Sequence, residues 1–161
     1  MVIPMKRNVD ISSDGFTYIT VLILMVVTGI ALIGVSRSWR TIIQREQEAE
    51  LLFRGDQIRK AIESYYKAGN TDIKKYPAEL ADLLKDPRFL VTKRHLRKLY
   101  PDPFARDGKW SLIRDTNGRL KGVHSNGHGK PLKTGNFSEE NSGFQKKEKY
   151  SDWHFLYTPP S

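Results

Sequence analysis

The chain contains no cysteine among its 161 residues. That excludes disulfides, thiolate chemistry and cysteine-ligated zinc, whichever compartment the protein occupies. Proline is absent between Pro4 and Pro77, so nothing in that interval forces a helix to break. Charge is absent from Phe16 to Ser36, 21 residues in succession. Acidic residues are scarce, 18 against 27 Lys and Arg, giving a net charge of +9. Nearly all of that excess follows the apolar run, because Lys6 and Arg7 before it are balanced by Asp10 and Asp14. A basic surface suits anionic lipid head groups, nucleic acid or an acidic protein face, and does not choose among them.

What is present begins with the apolar run itself. At about 1.5 Å per residue, Phe16 to Val35 as a helix would span roughly 30 Å, the thickness of a bilayer's hydrocarbon core. Residues 16–36 are therefore expected to be a transmembrane segment, preceded by a leader at 1–15. A secretory signal has a shorter apolar region, about 7 to 15 residues, before a small-residue cleavage site. Here Arg37, Trp39 and Arg40 stand where such a site would fall. Two readings remain, an uncleaved signal anchor or a leader cut on its N-terminal side.

Good helix formers dominate residues 37–69. Ile58, Ala61, Ile62, Tyr65 and Tyr66 share one helical face, while Arg59, Lys60, Glu63 and Lys67 lie elsewhere, which predicts a half-buried extension of the same helix. Gly69-Asn70 is its expected stop, and Gly29, Gly34 and Gly55 are its expected weak points. With about 35 residues spent on leader and membrane, residues 70–161 support one small domain. Pro77 with Leu80, Leu83 and Leu84 predicts a short amphipathic helix ended by Asp86-Pro87. Trp110–Arg114 and Arg119–Ser125 predict a hairpin around Asn117-Gly118, and Trp153–Tyr157 a third strand. Asn126 to Lys149 reads as a long loop. The fold class expected is α+β, a long N-terminal helix followed by a small antiparallel sheet of about three strands.

No catalytic constellation is present, and the chain is not expected to be an enzyme. His124 and His128 are four apart, a metal-binding spacing only on a helix, whereas the Asn and Gly between them predict a turn. Gly122 to Gly127 misses a nucleophile elbow by one residue. Arg54-Gly55-Asp56 falls inside the expected helix and is read as a chance triplet. The basic run Lys93 to Lys98 reads as a solvated face with Leu96 and Leu99 buried; the alternative is phosphate contact, with Tyr100 and Phe104 stacking on bases.

The junction Gly15-Phe16-Thr17 before a long apolar helix resembles the processing site of type IV pilins and the pseudopilins of type II secretion. Tyr76-Pro77 followed by leucines, then Asp102-Pro103, then a small sheet, is similar to the order of parts in major, G-type pseudopilins. The resemblance implies cleavage between Gly15 and Phe16 by a prepilin peptidase and N-methylation of Phe16. It implies assembly through Phe16 and the fifth residue after the cut. It further implies a single-pass bacterial inner-membrane protein, N-terminus cytoplasmic and C-terminal domain periplasmic, with self, other pseudopilins and the secretion platform as partners. Arg37, Arg40 and Arg45 outnumber Lys6 and Arg7, against the usual charge bias, and the junction decides the orientation.

Three positions depart from the family pattern. Thr20 stands where the superfamily normally has an assembly glutamate, which suggests a tip or minor subunit as one alternative. Arg37 stands where proline is frequent. His128, in Asn126-Gly127-His128-Gly129-Lys130, occupies the place of an acidic residue in a calcium-binding stretch. Calcium needs several oxygen ligands, and Asp152 is the best remaining acidic candidate. No metal or other cofactor is expected besides that calcium. The other readings are a minor pilin with an adhesive or DNA-binding role and an unprocessed signal-anchored periplasmic protein.

Overall fold

A computed structural model describes residues 14–69 and 74–160, with the side chains of all but 14, 15 and 32–38. The expected leader thus lies outside the described residues, apart from the backbone of Asp14 and Gly15. A single helix, α1 (Asp14–Lys67), occupies 54 residues, as the lack of proline permits. The chain divides into two compact units between Ile42 and Ile43, inside this helix. The expected membrane segment runs into residues 32–38, and among the described residues no helix is long and apolar enough to cross a membrane.

In the second unit three strands, β1 (Ser111–Arg114), β2 (Leu120–His124) and β3 (His154–Leu156), form an antiparallel sheet in the order β1-β2-β3. The fold is α+β. The hairpin forms where expected, but its turn is not the two-residue Asn-Gly type, which needs positive φ at both residues. Only Gly118 is left-handed, at φ +73. Asp115 instead accepts from the amides of Asn117 and Arg119, and the register slips between Ile113 and Arg114.

The core is the stripe of α1 pressed on this sheet. Leu51, Ile58, Ile62 and Tyr65 are buried together with Leu120, Val123, Trp153, Phe155 and Tyr157. The alternation predicted for β3 is observed, since Trp153, Phe155 and Tyr157 are buried while His154 is exposed. Gly55 is the point of closest approach: a Cβ built there would lie 2.5 Å from three ring atoms of Phe155. A residue read as a weak point of the helix is therefore what lets helix and sheet meet.

Other expectations are corrected. The segment after Pro77 forms only a 3-10 turn, Leu80–Leu83, because Pro77 is held outside it, its carbonyl accepting the Leu120 amide. The loop after Asn126 contains two more 3-10 turns, Glu139–Phe144 and Tyr150–Asp152. Phe144 stacks on Trp153, ring centroids 5.5 Å apart, with Phe137 edge-on to both. Arg59 is buried rather than solvated, donating to Asp56, the Glu140 carboxylate, the Glu140 carbonyl and Asn141. Of the basic run, Leu96 is buried, but Leu99 is 46% exposed.

The C-terminal end of α1 is closed by side chains. Arg88 donates to the Tyr65 carbonyl, one of the acceptors that a helix end leaves without a partner. Its guanidinium lies 3.7 Å from the Tyr65 ring centroid. Asp86, wholly buried, accepts from the Arg88 amide and guanidinium and from His95, whose other ring nitrogen meets Ser64. Burial pushes the Asp86 carboxyl up, but the Arg88 and His95 bonds outweigh it and hold it at about 2. The chain Ser64, His95, Asp86 has the connectivity of a proton relay. Ser64, however, sits in the last turn of α1, where the helix dipole is negative and a developing oxyanion is disfavoured. It serves as a lock on the helix end.

Candidate functional site

Two regions carry the positions singled out from the sequence, and each belongs to its own unit. In the first, all side chains of residues 16–31 on α1 are exposed. They include Phe16, Tyr18, Ile19, Leu24, Met25 and Ile30. A helix apolar all round needs lipid or other apolar helices about it. Thr20 donates its hydroxyl to the Phe16 carbonyl at 2.8 Å, and Thr28 likewise to Leu24 at 2.7 Å. The Thr20 proton is thus spent within the helix, and only its oxygen lone pairs remain to accept from an amine. Phe16 and Thr20 are brought together, one turn apart, by that bond.

The second region is the stretch 126–133. Its backbone has no regular partner strand, so its amides and carbonyls need other partners. Asp102, buried, accepts from Ser125 Oγ with both carboxylate oxygens and from the amides of Phe104 and Asn126. Ser125 in turn accepts from the Gly127 amide at 3.0 Å. On α1, Glu48 accepts from the amides of Leu132 and Lys133 and from the Tyr150 hydroxyl. Gln44 donates to the Lys130 carbonyl and to Tyr150 Oη. Burial, reinforced by the Glu48 carboxylate and only partly opposed by the Gln44 donor, keeps the Tyr150 phenol protonated well above its ordinary range.

This clasp is fastened by the side chains of Asp102, Ser125, Gln44 and Glu48. His128 is exposed. Asp152 lies in the 3-10 turn Tyr150–Asp152, and among the described residues no group of three or more His, Cys, Asp or Glu is placed to hold a metal ion. His124 directs Nδ1 to the Ser125 carbonyl and sets its ring 5.4 Å from that of His154, not beside His128. The chain matches no protein-family model, no curated protein and no solved structure.

The remaining sequence motifs are absorbed by packing. Ser125 of the near-elbow is buried on Asp102, and Gly122 lies against the Phe155 carbonyl within the sheet. Arg54 pairs with Glu50 and donates to the Pro101 carbonyl, while Asp56 faces Arg59 and Asn141. Phe104 is stacked on Tyr150 at 3.9 Å between centroids, so one face of its ring is already taken by packing. Gln44 and Glu48 were missed from the sequence. A signal existed: reading back from Tyr65 in steps of three and four gives Ile62, Ile58, Gly55, Leu51, Glu48 and Gln44, one continuous stripe.

Proposed function

We propose that this chain is a pseudopilin-like structural subunit of a type II secretion or related type IV filament system, closest to the G-type. In this reading a prepilin peptidase removes residues 1–15 and Phe16 is N-methylated. Residues 16–36 first hold the protein in the bacterial inner membrane, N-terminus cytoplasmic and C-terminal domain periplasmic. They then pack with other subunits, self and related pseudopilins, into a short filament on the inner-membrane platform. The chain does no chemistry of its own. Membrane insertion rests on the sequence run as a whole.

The observation that carries the reading is the exposed apolar surface of α1 over residues 16–31, which begins at the Gly-Phe junction. Exchange of lipid contacts for contacts with neighbouring helices is what drives packing of such segments. Mass spectrometry of the membrane-purified protein tests it. Loss of Met1 to Gly15 and a gain of one methyl on Phe16 are expected; an intact leader in cells containing the peptidase overturns the proposal.

A tip or minor position is the second reading, favoured by Thr20, whose proton is committed to the Phe16 carbonyl. An amine buried without a carboxylate partner is costly. Raised filament incorporation of Thr20→Glu would identify a core subunit lacking its partner. An unchanged or lower yield would identify a tip subunit.

A further inference from the structure

The inward-facing row of the sheet runs out at β1. Leu112 pairs with Val123, and Val123 pairs with Phe155, so the three side chains form one row on one face. Val123 and Phe155 are fully buried, but Leu112 is 38% exposed. Beside it opens a groove of about 380 Å³, lined by Ile58, Leu80, Leu99, Trp110 and Leu112. β1 is an edge strand, and its edge away from β2 has no backbone partner among the described residues. An open edge beside an apolar groove is the geometry that accepts an added strand.

Charge selects the occupant. Lys109 lines the groove, and the Lys98 ammonium lies 5.3 Å from the ring centroid of Tyr100, which lines it too. Neither lysine joins any ion pair among the described residues. The Asp82 carboxylate accepts from the amides of Ala78 and Glu79 and that of Asp107 from the amide of Lys109, and among the described residues neither forms an ion pair with Lys98 or Lys109. A second copy paired here edge to edge would set the same uncompensated lysines against each other, so this edge disfavours it as the occupant.

We propose that β1 takes up an extended, acidic segment of a partner protein as a fourth strand. Its inward apolar side chain continues the row Phe155, Val123, Leu112 into the groove, and its acidic side chains face Lys98 and Lys109. Strand addition at β1 holds whether or not α1 polymerises.

The test uses the full chain in nanodiscs and a labelled eight-residue peptide of alternating leucine and aspartate, followed by fluorescence anisotropy. Saturable binding is expected. It should weaken at least tenfold when every second backbone amide is methylated, in whichever of the two registers faces β1, and at least tenfold for a leucine-lysine peptide. Lys98→Glu with Lys109→Glu should reverse the preference, gaining the leucine-lysine peptide, which also shows that the variant is folded. Equal binding of both methylated peptides would mean an apolar groove without strand addition and overturns the proposal. So would equal binding of the acidic and basic peptides, or Leu112→Cys cross-linking two copies of this chain in good yield.

Discussion

Replacing Gly55 with alanine sets two effects of opposite sign against each other. In an unpacked helix, Gly→Ala stabilises by about 0.5–1 kcal/mol, through backbone entropy and helix propensity. At this site the new methyl would lie 2.5 Å from Cε1, Cε2 and Cζ of Phe155, whereas carbon atoms pack at about 3.5–4.0 Å. The ring would have to retreat by about 1 Å. It is fully buried and has Trp110 edge-on at 6.1 Å and Phe144 at 5.1 Å between centroids, so it has little room to give. Overpacking costs about 1–3 kcal/mol, and a fully buried ring with no room to move puts the cost at about 2–3, which leaves Gly55→Ala about 1–2.5 kcal/mol less stable than the parent. At about 3–6 °C per kcal/mol for a domain of this size, that is a fall in Tm of about 3–15 °C. Thermal unfolding of the full chain in detergent, followed by near-ultraviolet circular dichroism of the buried tryptophans, measures it. Phe155→Leu removes the ring, so in the double variant Gly55→Ala should cost at least about 1 kcal/mol less than alone. A Gly55→Ala protein as stable as the parent, or more so, would refute the close approach of α1 to β3.

Three further outcomes follow from the same contacts. The Asp86 carboxyl, ordinarily near 3.8 and held at about 2, stabilises the fold above pH 4 and loses that contribution as pH falls from about 4 to about 2. The loss is about 2 kcal/mol; urea titrations across that range should show it in the parent and a flatter acid limb in Asp86→Asn. Glu48→Ala leaves the Leu132 and Lys133 amides and the Tyr150 hydroxyl without their acceptor, costing about 2–4 kcal/mol in total, and hydrogen exchange at those two amides should quicken at least tenfold. Calcium at millimolar concentration, or its removal by a chelator, should leave Tm unchanged within about 1 °C, since Glu48, Gln44 and Asp102 already hold the stretch that a metal would otherwise organise; a rise of several degrees would refute this.

The parts of the fold legible in the sequence were those governed by local periodicity. The alternation of Trp153, Phe155 and Tyr157 with polar neighbours, and the two runs flanking Asp115 to Gly118, placed all three strands within a residue or two. Helix α1 was legible because proline is absent over the whole interval and good helix formers fill its second half. Contacts between residues distant in sequence were not. The role of Gly55 depends on a ring one hundred residues later, and Arg59 reads as a surface cation until Glu140 and Asn141 are brought to it. Leu99 failed in the other direction, since its spacing from Leu96 suggested burial but it lines the open groove beside β1.

The stretch from Asn126 to Lys133 is held without an acidic side chain at position 128, where the sequence has His128. A segment without a strand partner needs its backbone groups satisfied, and a bound cation is one way of gathering carbonyl and carboxylate oxygens around it. Here the same requirement is met with protein donors and acceptors. Asp102 and Ser125 take the amides at the start of the stretch, and Gln44 and Glu48 take the carbonyl and amides at its end. Both α1 residues lie on the helical stripe that carries Leu51 and Ile58, so the helix that builds the core also fixes the loop. Because the links are hydrogen bonds to the side chains of Asp102, Ser125, Gln44 and Glu48, the clasp gives up stability by truncation of those side chains. Glu48 is the more exposed to such a test, since one carboxylate there serves two amides and a phenol, and its removal unfastens the loop from α1 in a single step.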